Sequence, residues 1–177
     1  MALVSKTDVQ NLYPLPTYRF KVDFHPAPGA RAPLAAVASA EMVFQEVSGL
    51  DVGNEKITYK DGLGVKHMPG PASDVTVTLK RGLVKQDGLL LYNWFADCHV
   101  NCIDKSDITI TLLGCSPEGT REVTLEDASS FVEMIQWRVL NAFPTKVTGP
   151  TFSGGSTEVA IETLEFAADD IKIAFVG

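Results

Sequence analysis

Cys98, His99 and Cys102 are the residues of this chain whose types could do chemistry in one place. A thiolate beside an imidazole is a nucleophile–base pair, and both groups ligate zinc. Cys98 and Cys102 stand four apart, on one face of a helix. A zinc site needs two more ligands at suitable spacing, and His67 with Cys115 do not offer them. Cys98 therefore reads as part of a buried helical stripe, where free cysteine is common. The acidic pairs Glu158/Glu162 and Asp169-Asp170 are the other candidates. Residues four apart on a strand share a face, but paired carboxylates that cleave glycosides need a sugar cleft, usually aromatic-lined. The two Trp and four Tyr of this chain are scattered, so Glu158 and Glu162 read as a solvated strand face. There is no Gly-x-Ser-x-Gly, no Walker-type loop and no dinucleotide fingerprint. The sequence predicts no catalytic residue, no metal ligand and no cofactor.

The elements that would position such groups are mostly strands. Tyr18, Phe20, Val22 and Phe24 alternate with Arg19, Lys21 and Asp23, the period-two pattern of a half-buried strand. Val75, Val77 and Leu79, then Ile108, Ile110 and Leu112, repeat it. Further strand character lies at 42–47, 55–59, 132–141, 158–166 and 171–175. One helix is expected over about 87–100, with Asp87 as N-cap and Leu90, Leu91, Trp94, Phe95 and Cys98 along one face. His25 to Ser39, with three prolines and six alanines, reads as a long mobile loop. Asp61 to Ala72, with Gly64, Pro69, Gly70 and Pro71, and the polar segment 114–131 also read as loops or hairpin tips. Residues 1–12 read as a flexible lead. The fold class expected is mainly β, an antiparallel sandwich or barrel of about eight strands with one flanking helix, in a single domain spanning 1–177.

Composition narrows the function. Hydrophobic residues are 45% and charged residues 21%, ordinary globular usage. A net charge of −7 argues against a phosphate-backbone binder, which needs clustered Lys and Arg. No run of about 18 apolar residues marks a membrane-spanning helix. The first residues lack a cationic start and an apolar signal core, and three cysteines are poor material for a disulfide framework. Synthesis and residence in a reducing, cytosolic compartment are expected. Val159, Ile161 and Thr163 make one side of a strand whose other side is also largely apolar, as in a central strand or one covered by a second subunit.

Tyr13-Pro-Leu-Pro-x-Tyr-x-Phe20, Phe44-x-Glu-Val-Ser-Gly-Leu50, Ile57-x-Tyr-x-Asp-Gly62, Met68-Pro-Gly70, Thr76-x-Thr-Leu-Lys-Arg-Gly82, Trp94-Phe95, Asp107-Ile-Thr-Ile110, Trp137-x-Val-x-Asn-Ala-Phe-Pro144 and Glu158-Val-Ala-Ile-Glu-Thr-Leu-Glu165 follow one another in this order. Together they resemble the tail-tube protein family of contractile phage tails and phage-tail-like contractile injection systems. The resemblance implies a non-enzymatic subunit, made in the bacterial cytoplasm, that forms hexameric rings. The rings stack into a hollow tube inside a contractile sheath, and the tube is driven through a target envelope. It implies as partners further copies of the chain, a sheath protein, baseplate hub or spike proteins, a tube cap, and DNA or protein cargo in the bore. Under this reading Tyr13, Pro14, Tyr59, Asp61, Gly62, Met68, Pro69, Val159 and Ile161 are the candidate subunit contacts, while Gly49 and Gly82 serve backbone geometry. The segments 25–40 and 114–131 look expanded against the compact family form, as for decoration of the tube, sheath attachment, or an adaptor ring that starts the tube above the spike. A small barrel binding an apolar ligand is the alternative of a different class.

Overall fold

The longest strand is shared by two sheets. In this computed structural model, which describes residues 14–40, 42–85, 87–98, 102–115, 131–155, 157 and 159–176, the strands are β1 (Phe20–Pro26), β2 (Glu46–Ser48), β3 (Asn54–Lys60), β4 (Val65–Ala72), β5 (Val75–Gly82), β6 (Ser106–Cys115), β7 (Phe131–Thr148), β8 (Ile161–Ala168) and β9 (Asp170–Phe175). The helices are α1 (Ala32–Ser39) and α2 (Leu90–Asp97). All pairings are antiparallel. The first half of β7 pairs with β6 and β9, and its second half, from Phe143, pairs with β8. One sheet therefore runs β1–β6–β7–β9 and the other β7–β8–β5–β2.

The turn between the sheets lies in Asn141-Ala-Phe-Pro144. Asn141 has φ of 54°, in the left-handed region that Asn tolerates better than most side chains. Its backbone N–H donates to the Asp107 carboxylate at 2.9 Å, and Ala142 beside it is fully buried. Pro144, which lacks an N–H, sits where the β7–β8 register shifts, a place that needs one donor fewer.

Between the sheets lies an aromatic core. Phe24 meets Trp94 edge-on at 6.0 Å, and Trp94 and Phe166 lie 5.4 Å apart. Such pairs add about 0.5–1.5 kcal/mol each beyond their buried area. The Trp94 indole N–H donates to the Asp104 carbonyl at 3.1 Å, so the largest core side chain leaves no polar atom unpaired.

Four expectations are corrected. Residues 32–39, inside the segment expected to be a loop, form α1. Pro33 in the first turn presets helical φ, and Leu34 and Val37, three apart, are completely buried. The Asp104 carboxylate accepts the Arg31 N–H at 3.2 Å and anchors the start of that helix. There are thus two helices beside the sheets, not one. Second, residues 65–72 are strand β4, not loop. Pro69 and Pro71 are two apart, so both can sit where a ribbon's N–H would point away from its partner. Third, α2 is shorter than 87–100, and Asp87 gives it no side-chain cap; Leu89 holds that position. Fourth, Glu162 is not on a solvated face, as described below. Residues 116–130 of the expected tip, and residues 1–12, lie outside the described residues.

Gly49, just after β2, has φ of 81°, and a β-carbon there would collide with the Thr76 carbonyl. Gly49→Ala should lower stability by at least about 1–2 kcal/mol, the cost of left-handed backbone for an L-residue. The expected readout is a lower urea midpoint at unchanged slope; an unchanged midpoint would show that the turn relaxes freely.

Candidate functional site

Five of the nine candidate contacts come together on one projecting hairpin. Strands β3 and β4 pair only with each other, and they carry Tyr59, Asp61, Gly62, Met68 and Pro69. The tip is built by Asp61. Its carboxylate accepts the N–H groups of Leu63 at 3.1 Å and Gly64 at 2.9 Å, and Gly62 has φ of 81°. Those two N–H groups, Leu63's first, with Lys66 at 3.4 Å, hold the Asp61 carboxyl below the ordinary carboxylate range. The tip is therefore fixed at neutral pH and loses this brace only as pH falls through that lowered pKa.

Cross-strand partners share a face, so Ile57, Tyr59, Met68 and Lys66 lie on one side of the hairpin. Lys56, Thr58, Lys60, Val65, His67 and Pro69 lie on the other. Neither side is covered: Ile57, Tyr59, Val65 and Met68 are about half exposed, and Leu63 at the tip is 99% exposed. A two-stranded hairpin alone is marginal in water, and exposed apolar side chains grouped on one element are the usual mark of an interaction surface.

The other candidates fall elsewhere. Val159 is exposed and Ile161 half-buried at the start of β8, beside a cleft of about 240 Å³ that also holds the exposed Phe152. Pro14 is exposed at the beginning of the described chain, and Tyr13 lies outside the described residues. Sequence reasoning missed Leu63 and Val65, because β4 carries no apolar alternation and its glycine and prolines read as loop.

It also missed a second surface, the mouth of the sandwich. The inner face of the first sheet is graded. The row Phe24, Ile108, Val139 and Ile171 is buried. The next row, Val22, Ile110, Trp137 and Ile173, is partly open, and in the last, Phe20, Leu112 and Ile135 are half-buried while Phe175 is 84% exposed. A cleft of about 490 Å³ opens there between β1 and the segment leading into and out of β2.

The chemistry-bearing groups resolve into structural roles. Glu162 is buried on the inner face of β8, directly opposite Arg81 of β5, and its carboxylate accepts the Arg81 Nε–H. The remaining Arg81 nitrogens donate to the Asp87 carbonyl at 2.8 Å and face the Met42 sulfur at 3.0 Å. Glu158 lies outside the described residues. Asp169 pairs with Lys105 at 3.1 Å, which holds its carboxyl below the usual range, and Asp170 accepts the N–H of Ile171. Cys98 ends α2 with its sulfur 3.9 Å from the Asp104 carbonyl, and burial pushes its thiol pKa up. Cys102 receives the Arg31 guanidinium, whose positive charge disfavours a metal at that sulfur. Among the described residues no three His, Cys, Asp or Glu side chains could hold a metal ion, and no helix is long and apolar enough to cross a membrane.

The family model described as T4-like virus tail tube protein gp19 matches residues 16–172. The fold is similar to the extended-state sheath-tube complex of PVC, an extracellular contractile injection system: TM-score 0.75, 29% identity, 97% of this chain and 99% of that one. It is also similar to the tube-terminating cap of the anti-feeding prophage, with TM-score 0.71, 30% identity and 93% of each chain. The PVC sheath/tube terminator matches with TM-score 0.71 at 29% identity, over 92% of this chain and 97% of that one. No curated protein matches the chain.

Two outcomes are expected at these side chains. Arg81→Met should destabilise the fold by about 3–5 kcal/mol, because it strands a buried carboxylate, and adding Glu162→Leu should restore most of the loss. A double-mutant cycle in urea checks this, and additive losses would contradict it. Cys98 should alkylate with iodoacetamide at pH 7.5 more slowly than a free peptide thiol, followed by peptide mass spectrometry, because the thiolate is the reactive form.

Proposed function

This chain belongs to the T4-like virus tail tube protein family, and on that premise we propose that it forms hexameric rings that stack into the inner tube of a contractile injection particle. The observation that carries this reading is the end-to-end match to the PVC sheath-tube complex, with 97% of this chain and 99% of the other superimposed. A single tube domain fills the chain, so function resides in repetition of the subunit and no catalytic step is assigned to it. The partners are neighbouring copies, a contractile sheath around the tube, a baseplate hub or spike below and a cap above. DNA or protein cargo travels in the bore.

The contacts assigned to subunit pairing are the hairpin residues Tyr59, Asp61, Gly62, Met68 and Pro69, the exposed patch of Val159 and Ile161, and the lead-in Tyr13-Pro14. The hairpin is the strongest of these, since its apolar side chains have no cover in their own subunit. Edge strands of a sandwich invite pairing with another chain, and a closed ring removes such edges. Heterologous contacts of this kind give rings where the rotation closes. Similarity to the two terminator proteins supports a second position for the same subunit, a ring at one end of the tube.

Negative-stain microscopy of the purified chain at high concentration should show six-fold rings or tubes. Long tubes support the main-tube position and isolated single rings the terminal one, whereas uniform monomers would overturn the reading.

A further inference from the structure

Arg31, at the start of α1, ties the end of α2 to the segment that enters β6. Its Nη1 donates to the Asp97 carbonyl at 3.5 Å, its Nη2 donates to the Cys102 sulfur, and its Nε lies 3.6 Å from the Asp104 carboxylate. That carboxylate also accepts the Arg31 backbone N–H at 3.2 Å. Asp97 is the last residue of α2 and Cys98 follows it, so one guanidinium joins the peptide entering Cys98 to the sulfur of Cys102. The Cys98 sulfur faces the Asp104 carbonyl at 3.9 Å. Both thiols are free and half-buried, open enough for a small reagent. We propose that Cys98 and Cys102 form a thiol–disulfide exchange site for low-molecular-weight disulfides of the glutathione type, in which Cys102 attacks first and Cys98 closes the bond.

The two sulfurs stand in different surroundings, and that sets their order. A thiol attacks a disulfide as its thiolate, and a cation beside the sulfur stabilises that charge. The cation is in place at Cys102, and it is held there by two further contacts. The Cys102 sulfur is in turn the main cause that raises the Arg31 pKa, ahead of the Asp104 carboxylate. Cys98 is the opposite case. Burial pushes its thiol pKa up, which makes it the slower attacker on a reagent in solution. Once Cys102 carries half of the reagent, the attack by Cys98 is intramolecular and no longer needs a fast encounter. Bridged cysteines have α-carbons about 4.4–6.8 Å apart, within the reach of a chain four residues long.

The exchange balances in two steps. Cys102 loses its proton to water, and its sulfur bonds to one sulfur of the reagent as the reagent's S–S bond breaks. The other half leaves as a thiolate and takes up a proton. Cys98 then loses its proton and attacks the Cys102 sulfur, and the second half leaves in the same way. Two protein thiols are oxidised to one disulfide, and one small disulfide is reduced to two thiols.

Closure has a structural consequence. A disulfide sulfur carries no negative charge for the guanidinium to meet, so Arg31 lets go of Cys102 and keeps Asp97 and Asp104. The end of α2 becomes tied by a covalent bond to the segment before β6. An excess of small thiol reverses both changes. Nothing in this device depends on assembly into a tube.

The test treats the purified full chain with excess glutathione disulfide at mildly alkaline pH, blocks remaining thiols with iodoacetamide and digests with trypsin. No Lys or Arg lies between Lys85 and Lys105, so both cysteines leave in one peptide, residues 86–105. The expected peptide is lighter by the two lost hydrogens and carries no alkyl group. With Cys98→Ser the reaction should stop at glutathione bound to Cys102, whereas with Cys102→Ser most of Cys98 should stay unmodified. Arg31→Gln should slow closure about tenfold, and Arg31→Lys should recover most of the rate. A circular dichroism spectrum unchanged by these substitutions establishes that the fold survives.

Four results each overturn the proposal. They are alkylation of both cysteines after oxidation, a bridge from either one to Cys115 or to another chain, glutathione captured as readily by Cys98 alone as by Cys102 alone, and a closure rate unmoved by Arg31→Gln.

Discussion

Everything in this fold hangs on one strand turning a corner. Residues 131–148 are a single strand whose first half belongs to one sheet and whose second half to the other, and the change of direction is held at Asn141. The left-handed φ of that residue, its N–H tied to Asp107 and the buried Ala142 beside it leave the backbone little freedom. Because both sheets start from this shared strand, their separation is set there. The far edges, β1 and β2, are then free to diverge, and the aromatic core fills the end where the two helices close over it. The gap at the opposite end is the geometric remainder.

Much of this was legible in the residues and some was not, for local reasons. Alternation at Tyr18–Phe24, Val75–Leu79 and Ile108–Leu112 marks strands because each has one face in the core, and a period of two is visible within a few residues. The α1 helix hides because half of its residues are alanine, with only Leu34 and Val37 to mark a face and prolines just before them. The β4 strand hides because neither of its faces is buried, so nothing selects an apolar alternation, and glycine and proline dominate. The burial of Glu162 could not be seen from its neighbours in sequence. It follows from a register that sets it opposite Arg81, eighty-one residues away. The candidate contacts were named from the family resemblance, on a loop expected at 61–72, the lead-in and the strand at Val159 and Ile161, whereas the mouth depends on the relative position of two sheets, which no local pattern encodes.

The same buried ion pair shows how the chain divides its labour. Arg81 and Glu162 spend hydration to lie side by side, and a well-packed apolar pair would serve stability as well or better. What the pair adds is direction, since a fork of nitrogens satisfied by a carboxylate, the Asp87 carbonyl and the Met42 sulfur fits only one arrangement of β5, β8 and the turn before α2. These reactive residue types fix geometry: Cys98 as a half-buried thiol at a helix end, Asp104 as an anchor for Arg31, Asp61 as the brace of a tip.

The eighteen-residue strand has a mechanical reading as well. At about 3.3 Å per residue its contour approaches roughly 60 Å. It is bonded along that length to β6 and β9 on one side of the bend and to β8 on the other. A push applied to one sheet therefore reaches the other through covalent backbone, without relying on the packing of side chains between them. Sliding such a strand against its neighbours would break many hydrogen bonds at once and not one after another. A subunit built around this member behaves as a braced frame, stiff along the strand.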